Sequence, residues 1–559
     1  MLSSWINHAS DWNPQLVREL KGRFKARNVL MAIATSVLVQ LGIIIFFYNQ
    51  LPADHGFSIY CTSTPDILES SCLKDANGNF LVNWADWWAD MMKVLHWFLM
   101  YGLIVPGVFT LVVDLYQEEQ RGTLNFVRLS PQSAWTILIG KLLGVPSLVY
   151  VAIAVAVPFH IVAAVGAKLP LWVVLSFYGV VLGGSFLVYS AALLNGFLSK
   201  LSGGLGNVNV GSIYALTISG FTAIVFVPLY MLWNAYFTWN PFLHFFLTGE
   251  NYDGNFSTYN PFIPHAFLLI NLAISSYWIW QALHRCFHQP GATIISKRQS
   301  YGLVLYLEVL IVGFALLINS SQPFSDTFST IGTIAVINIG MFLGLIALLS
   351  ISRQSLMDWA RYRHFDQKAI APSTEHPPQQ NGSRLRTRLQ DLIWDLVWGE
   401  RSPAIVAIAL NLLIFSVPLL LLVAFGLDSW EQRIYGFAGV IITINLVILY
   451  AAILQLVLLM KTLKRVFWAA IALGTLIFVP IFAAILSTSS NPILAHVLFL
   501  FSPIPWVTLS RPEGFSMALI SKAILGQWLA IVMVNVQLTQ QLKQLGQSAS
   551  QALFTGSER

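Results

Sequence analysis

The chain has 559 residues, of which 56% are hydrophobic and only 10% charged, with a mean hydropathy of +0.68. That little charge cannot cover a water-soluble surface of this size, so the composition excludes a soluble globular protein and points to a polytopic membrane protein. The net charge of +6 sits beside apolar runs rather than in one basic patch, which excludes nucleic acid as a partner.

The first amphipathic segment, Asn13 to Asn28, precedes an apolar run that starts near Val29. That run is too long for a signal-peptide core and lacks a small-residue cleavage site, so it reads as the first span. At 1.5 Å per residue, about 20 residues cross the roughly 30 Å hydrocarbon layer. Runs of that kind are expected at about 29–48, 94–115, 143–165, 171–198, 211–232, 262–283, 302–319, 328–351, 403–425, 434–459, 466–487 and 515–537. The expected fold is therefore all-α, with about twelve spans.

The loops sort by charge. Arg18, Lys21, Arg23, Lys25 and Arg27 share a side with Arg121, Arg128, Lys200, Arg285, Lys297 and Arg298. Arg353, Arg361, Arg363, Arg384, Arg386, Arg388, Lys461 and Lys464 fall on that side too, whereas the alternate loops carry few Lys or Arg. The positive-inside rule puts the basic side, with both termini, in the cytoplasm; an odd span count would break the alternation. The expected location is the plasma (inner) membrane.

The largest external loop, about 49–93, is acidic and contains Cys61 and Cys72, which either pair as a disulfide or remain thiols. Trp84, Trp87 and Trp88 suit an anchor at the headgroup level, with substrate binding as the second reading. After the second span comes a dense charged knot, Glu118, Glu119 and Arg121, then a Gly122-Thr123 break and a short amphipathic stretch. About two dozen residues before the next apolar run exceed what a simple return needs, and they suit a docking surface outside the bilayer. Asp114, Lys141 and Lys522 lie near span ends, where snorkelling explains them. His284 and His288 have the spacing of a metal pair but lack a nearby carboxylate, and they read as an ordinary helix end with no metal.

Asn240-Pro241-Phe242-Leu243-His244 and Asn491-Pro492-Ile493-Leu494-Ala495-His496 each precede the last span of one half. Span order and loop lengths also match, so the chain reads as two parallel six-helix repeats, residues 1–285 and 286–559, with a linker at about 365–390. The second half has its own charged connection, Ser352 to Phe365, then the polar linker, then a segment whose Trp394 and Trp398 share a helix face.

Asn13–Asn28, together with Glu119-Gln120-Arg121-Gly122-Thr123-Leu124, Ser130-Pro131, Trp135 and Gly140-Lys141-Leu142, resembles the membrane subunits of type-2 ATP-binding-cassette (ABC) exporters. The resemblance covers the first half; Gly399-Glu400-Arg401-Ser402-Pro403 is only an echo of it in the second. It implies an elbow helix before the first span, with Leu16, Val17, Leu20 and Phe24 as its apolar face. Arg18, Lys21, Arg23 and Lys25 would meet lipid headgroups, with Glu19 on the same helix. It also implies coupling to a cytosolic ABC ATPase, present as two copies or a dimer, through Glu118, Glu119, Arg121, Gly122, Thr123 and Trp135, and through Arg361 and Arg363. No G-x-x-x-x-G-K-[ST] phosphate loop occurs, and Gly203-Gly204-Leu205-Gly206 lacks its lysine. The chain is therefore expected to be no enzyme and to hold no cofactor, with ATP used by the partner subunit. Membrane lipid is the other partner, and the transported substrate is not legible. The alternative is a secondary transporter driven by an ion gradient through Glu308, the one carboxylate placed well inside a span.

Overall fold

The computed structural model describes residues 12–52, 59–61, 73–75, 78–169, 171–198, 262–289, 292–321, 327–351, 353–369, 381–462, 465–510 and 517–546. Within these, the side chains of 124–125, 198, 262–265, 316–321, 363–369, 381–389, 466 and 546 are left undescribed. The expected span 211–232, the Asn240–His244 motif, the Gly203–Gly206 cluster and Cys72 lie outside the described residues. Helices dominate, and among the described residues ten are long and apolar enough to cross a membrane. The protein is an all-α, multi-pass membrane protein. It divides into two compact units, Met1–His288 and Gln289–Arg559.

The first unit contains α1 (Pro14–Arg23), α2 (Ala26–Tyr48), α3 (Trp84–Gln120), α4 (Thr123–Arg128), α5 (Ala134–Gly144), α6 (Ser147–Gly166), α7 (Leu171–Leu198) and α8 (Phe262–His288). Helix α3 has 37 residues, so at 1.5 Å each it is about 55 Å long and overruns the bilayer core. It is the axis of the unit: α6 and α7 pack against it, α2 lies on α6, and α8 lies on α7. The span expected at 143–165 is α6, Ser147–Gly166. Pro146, which has no N–H to continue a helix, separates the short apolar α5 from α6. Helix α6 then closes in a Schellman motif. Lys168 adopts φ 55°, its N–H reaches Val165 O, and Leu169 N–H reaches Ala164 O.

The end of this unit where α2 finishes and α3 begins is closed by aromatic packing. Trp87 is buried, donates from Nε1 to Phe47 O at 3.0 Å, and stacks edge-on against Phe47, Trp84 and Trp88. The headgroup-anchor reading is thus corrected for Trp87, which fastens the end of α2 to α3, while Trp84 remains exposed. Cys61 is disulfide-bonded and pairs through its backbone with Val82.

The second unit contains α9 (Lys297–Ser321), α10 (Thr327–Leu348), α11 (Arg353–Ala369), α12 (Asn381–Trp398), α13 (Ile405–Gly426), α14 (Trp430–Leu458), α15 (Arg465–Ser487), α16 (Pro492–Leu500), α17 (Trp506–Leu509) and α18 (Met517–Gly546). Its axis is α14, which packs against α10, α13, α15 and α18. Small and polar residues let neighbours approach it and bond to it, which is how helices associate where lipid is as apolar as leucine. Asn445 Nδ2 donates to Gln527 Oε1 at 3.1 Å, Trp528 Nε1 to Asn445 Oδ1 at 3.2 Å, and Trp506 Nε1 to Thr443 Oγ1 at 3.3 Å. Asn491 caps α16 by accepting from Leu494 N–H, with Pro492 at the first helical position.

Candidate functional site at the end of the second span

Three segments far apart in sequence meet at the C-terminal end of α3. Asp114 and Glu118, four residues apart, share one face of its last turns. Helix α5 supplies Lys141, and α1 supplies Arg18, Glu19 and Arg23. The junction needs the backbones of α1 and α5 close together, and Gly140 and Gly144 provide that. A Cβ at Gly144 would lie 2.6 Å from Glu19 Cβ, and one at Gly140 would lie 2.7 Å from Asn13 Oδ1. Asn13 fixes the register: its Oδ1 accepts from Leu16 N–H at 2.9 Å, capping α1, while its Nδ2 donates to Thr136 O at 2.8 Å.

Lys141 is the hub. Its side chain is 1% exposed, and Nζ lies 2.8 Å from Asp114 Oδ2, 2.8 Å from Glu118 Oε2 and 3.7 Å from Glu19 Oε1. Arg23 pairs with Asp114 at 2.7 Å, and Arg18 with Glu118 at 2.7 Å and Glu19 at 3.3 Å. Three carboxylates thus face three cations. Burial works against the Lys141 charge, but Asp114, Glu118 and Glu19 outweigh it and hold the ammonium above the ordinary lysine range. The oxygens of Glu19, Asp114 and Glu118 lie within 4.8 Å of one another, a spacing that suits a cation. The Lys141 ammonium supplies that cation.

These contacts revise two expectations. Lys141 and Asp114 do not snorkel; they pair across 27 residues of sequence. The face of α1 that packs on protein is Gln15, Val17 and Glu19. Arg18 and Arg23 turn to protein carboxylates rather than to headgroups, whereas Lys21 is exposed and Phe24, beyond the helix end, is exposed too.

Beyond the lock the chain turns at Gly122, whose φ of 70° suits glycine. Thr123 Oγ1 ties the turn back to Glu118 O at 3.1 Å. Helix α4 follows with two unlike faces. Val127 is buried, and Arg128 lies over the rings of Phe197 and Phe287 at 5.4 and 5.9 Å. Burial lowers the proton affinity of this guanidinium, and Glu119 partly restores it. The opposite side projects Phe126, 77% exposed, and Leu129, 86% exposed. Arg121 is exposed beside them. Trp135, expected at a docking surface, stacks flat on Trp280 with centroids 4.3 Å apart, and Trp280 donates to Ser190 Oγ at 3.0 Å. Trp135 therefore braces α5 against α8.

In the second unit Arg361 is exposed on α11, and the side chain of Arg363 lies outside the described residues. Helix α11 is held by Arg353 Nε donating to Leu459 O at 3.0 Å and by Trp359 Nε1 donating to Asp395 Oδ2 at 2.6 Å. The end of α12 is gripped by Lys297, whose Nζ donates to Leu396 O at 2.7 Å, Ser402 Oγ at 2.6 Å and Pro403 O at 3.2 Å. His284 and His288 lie a turn apart with ring centroids at 4.3 Å.

The site as a whole is mechanical: paired charges fix α1, α3 and α5 together and leave an apolar knob standing out. The sequence offered signals for it in the Asp114–Glu118 and Gly140–Gly144 spacings. Comparison with known protein families, characterised proteins and solved structures gives no match for this chain.

Proposed function

We propose that this chain is the membrane subunit of an ATP-driven exporter of the ABC class, forming the pathway and borrowing mechanical work from a separate cytosolic ATPase. The observation that carries the reading is the pair Phe126, on the short helix α4, and Leu129, just past its end, held out beside a junction locked by six charged side chains. Large apolar groups so exposed on a rigid base suit insertion into a partner's groove. A push on α4 would pass through Glu118 and Lys141 into α3 and α5, and so into the bundle. In this reading the basic loops and both termini face the cytoplasm of the plasma (inner) membrane, and the two units are parallel repeats. Helices α11 and α12 stand between the second and third spans of their unit, where α4 and α5 stand in the first.

The test is purification from mild detergent. The chain alone shows no ATPase activity, an ATPase subunit co-purifies with it, and reconstituted transport requires ATP. A second reading, ion-driven transport, draws on Glu308, which is buried in α9 and meets Asn338 Nδ2 of α10 at 3.4 Å. Robust transport in liposomes with an ion gradient and no nucleotide would select that reading instead.

A further inference from the structure

Glu308 on α9 and Asn338 on α10 each lie about 16 Å from the first residue of their helix, near the middle of a roughly 30 Å hydrocarbon layer. Both are buried, at 3% and 0% exposure. The helices packed along α9 bring no cation to this depth: α10 and α13 contain no Asp, Glu, Lys, Arg or His. Helix α12 meets α9 at its first turns, where Lys297 Nζ holds Leu396 O and Tyr301 Oη donates to Val397 O. Arg384, Arg386, Arg388, Asp391 and Asp395 precede that contact on α12, and Arg298 lies over Trp398 beside it. Tyr306, two residues before Glu308, falls on another side of α9.

The hydrogen bonding of this pair is one proton short. Asn338 Nδ2 donates to Glu308 Oε2 at 3.4 Å and to Ile334 O at 3.1 Å, which uses both amide protons. Glu308 Oε1 and Asn338 Oδ1 are left buried with no partner. Both are acceptors, so neither can satisfy the other. An ionised carboxylate buried without a cation is unfavourable enough that the group takes up a proton instead. That proton turns Oε1 into the donor that the Asn338 oxygen lacks. A metal ion fits less well, since a hard cation such as Ca²⁺ or Mg²⁺ gathers about six or more oxygens.

We propose that Glu308 and Asn338 form a proton-binding site: the carboxyl carries a proton at neutral pH and donates it from Oε1 to Asn338 Oδ1, closing a reciprocal acid–amide pair that fastens α9 to α10. The occupied site is neutral, so α9 carries no charge at a depth where a charge is costly. Loss of the proton sets a carboxylate against the Asn338 carbonyl oxygen and loosens the two helices. The inference concerns the resting chain and rests on neither transport reading.

The experiment is infrared difference spectroscopy on the full chain in lipid nanodiscs at neutral pH, with no ATP, partner or ion gradient. The unaltered chain minus Glu308→Gln should show the carbonyl stretch of a protonated carboxyl, moved to lower frequency by exchange into heavy water. Asn338→Leu should shift that band to higher frequency, because the acceptor of its proton is gone. Glu308→Gln should keep the thermal stability of the unaltered chain, since its amide can exchange both hydrogen bonds with Asn338. Should a variant not fold, chain made with glutamate carrying carbon-13 in the side-chain carboxyl assigns the band without a substitution. Carboxylate stretches in place of the protonated band would overturn the proposal, and so would a band indifferent to Asn338→Leu. Loss of the band on adding sodium or calcium at constant pH would also overturn it, by giving the site to a metal ion. Failure here leaves the co-purification test of the exporter reading standing.

Discussion

Two buried lysines, one in each unit, show how partners rather than burial decide what a charge does. Lys141 and Lys297 are almost equally hidden, at 1% and 3% exposure. Lys141 is ringed by three carboxylates, which outweigh burial and hold its ammonium above the ordinary range. Lys297 meets two carbonyls and a hydroxyl, so burial prevails over the more distant Asp395 and takes it from 10.5 down to about 8. The first arrangement is a lock made of opposed charges, which breaks badly when one member is removed. The second is a clamp made of dipoles, which tolerates the loss of its charge.

Removing the hub of the lock should have the largest effect. Lys141→Met leaves Glu19, Asp114 and Glu118 with only two arginines, and deleting one partner of a buried ion pair costs about 3–5 kcal/mol. Thermal unfolding in detergent should show it, and adding Asp114→Asn should recover part of the loss. A near-neutral Lys141→Met would mean that water already shares the site. Gly144→Leu comes next: the side chain would meet Glu19 Cβ, driving α1 from α5 at about 1–3 kcal/mol. Proteolysis after α1 should rise in this variant, and an unchanged digestion pattern would contradict the close approach.

The clamp should be weaker. Lys297→Met leaves Leu396 O, Pro403 O and Ser402 Oγ short of a donor, worth about 1–3 kcal/mol. Alkali separates the two lysines with the smallest signal. The folded value for Lys297 lies below its unfolded value, so between about pH 8 and 10.5 the unfolded chain binds more protons. Stability of the unaltered chain relative to Lys297→Met should therefore rise across that window. For Lys141 the folded value lies above 10.5, so its contribution is intact below that pH and is lost only above it. Relative to Lys141→Met, the curve should be flat from pH 7 to 10. Matching slopes for the two variants would refute the contrast.

Much of the fold was readable because spans are long apolar runs, and among the described residues ten helices are long and apolar enough to cross a membrane. The third span, expected at 143–165, begins at Ser147, just after Pro146. What the runs concealed were the long-range charge pairings of the lock. Arg23 finds Asp114 across 91 residues and Arg18 finds Glu118 across 100, separations that no local pattern encodes. Each charge alone sat at a span end, where snorkelling is the simplest explanation. Glu118, read as part of an open docking surface, is turned inward to Lys141 and Arg18, and the exposed face is made by Phe126 and Leu129. Two apolar residues in a short segment resemble any amphipathic turn, so only their exposure reveals them.

The reading of α4 as a handle also makes a graded prediction for its surface. Glu119→Ala with Arg121→Ala should weaken partner association and transport together while membrane insertion survives. Phe126→Glu with Leu129→Glu should weaken association more, by about tenfold or above, because the buried apolar centre of an interface carries most of its energy.

The most direct measurement places a photo-crosslinking phenylalanine analogue at Phe126, in cells that make the complete assembly. The account predicts a covalent adduct with a nucleotide-binding polypeptide, captured more strongly when ATP is present. Adducts with lipid alone, and none with any nucleotide-binding chain, would contradict it.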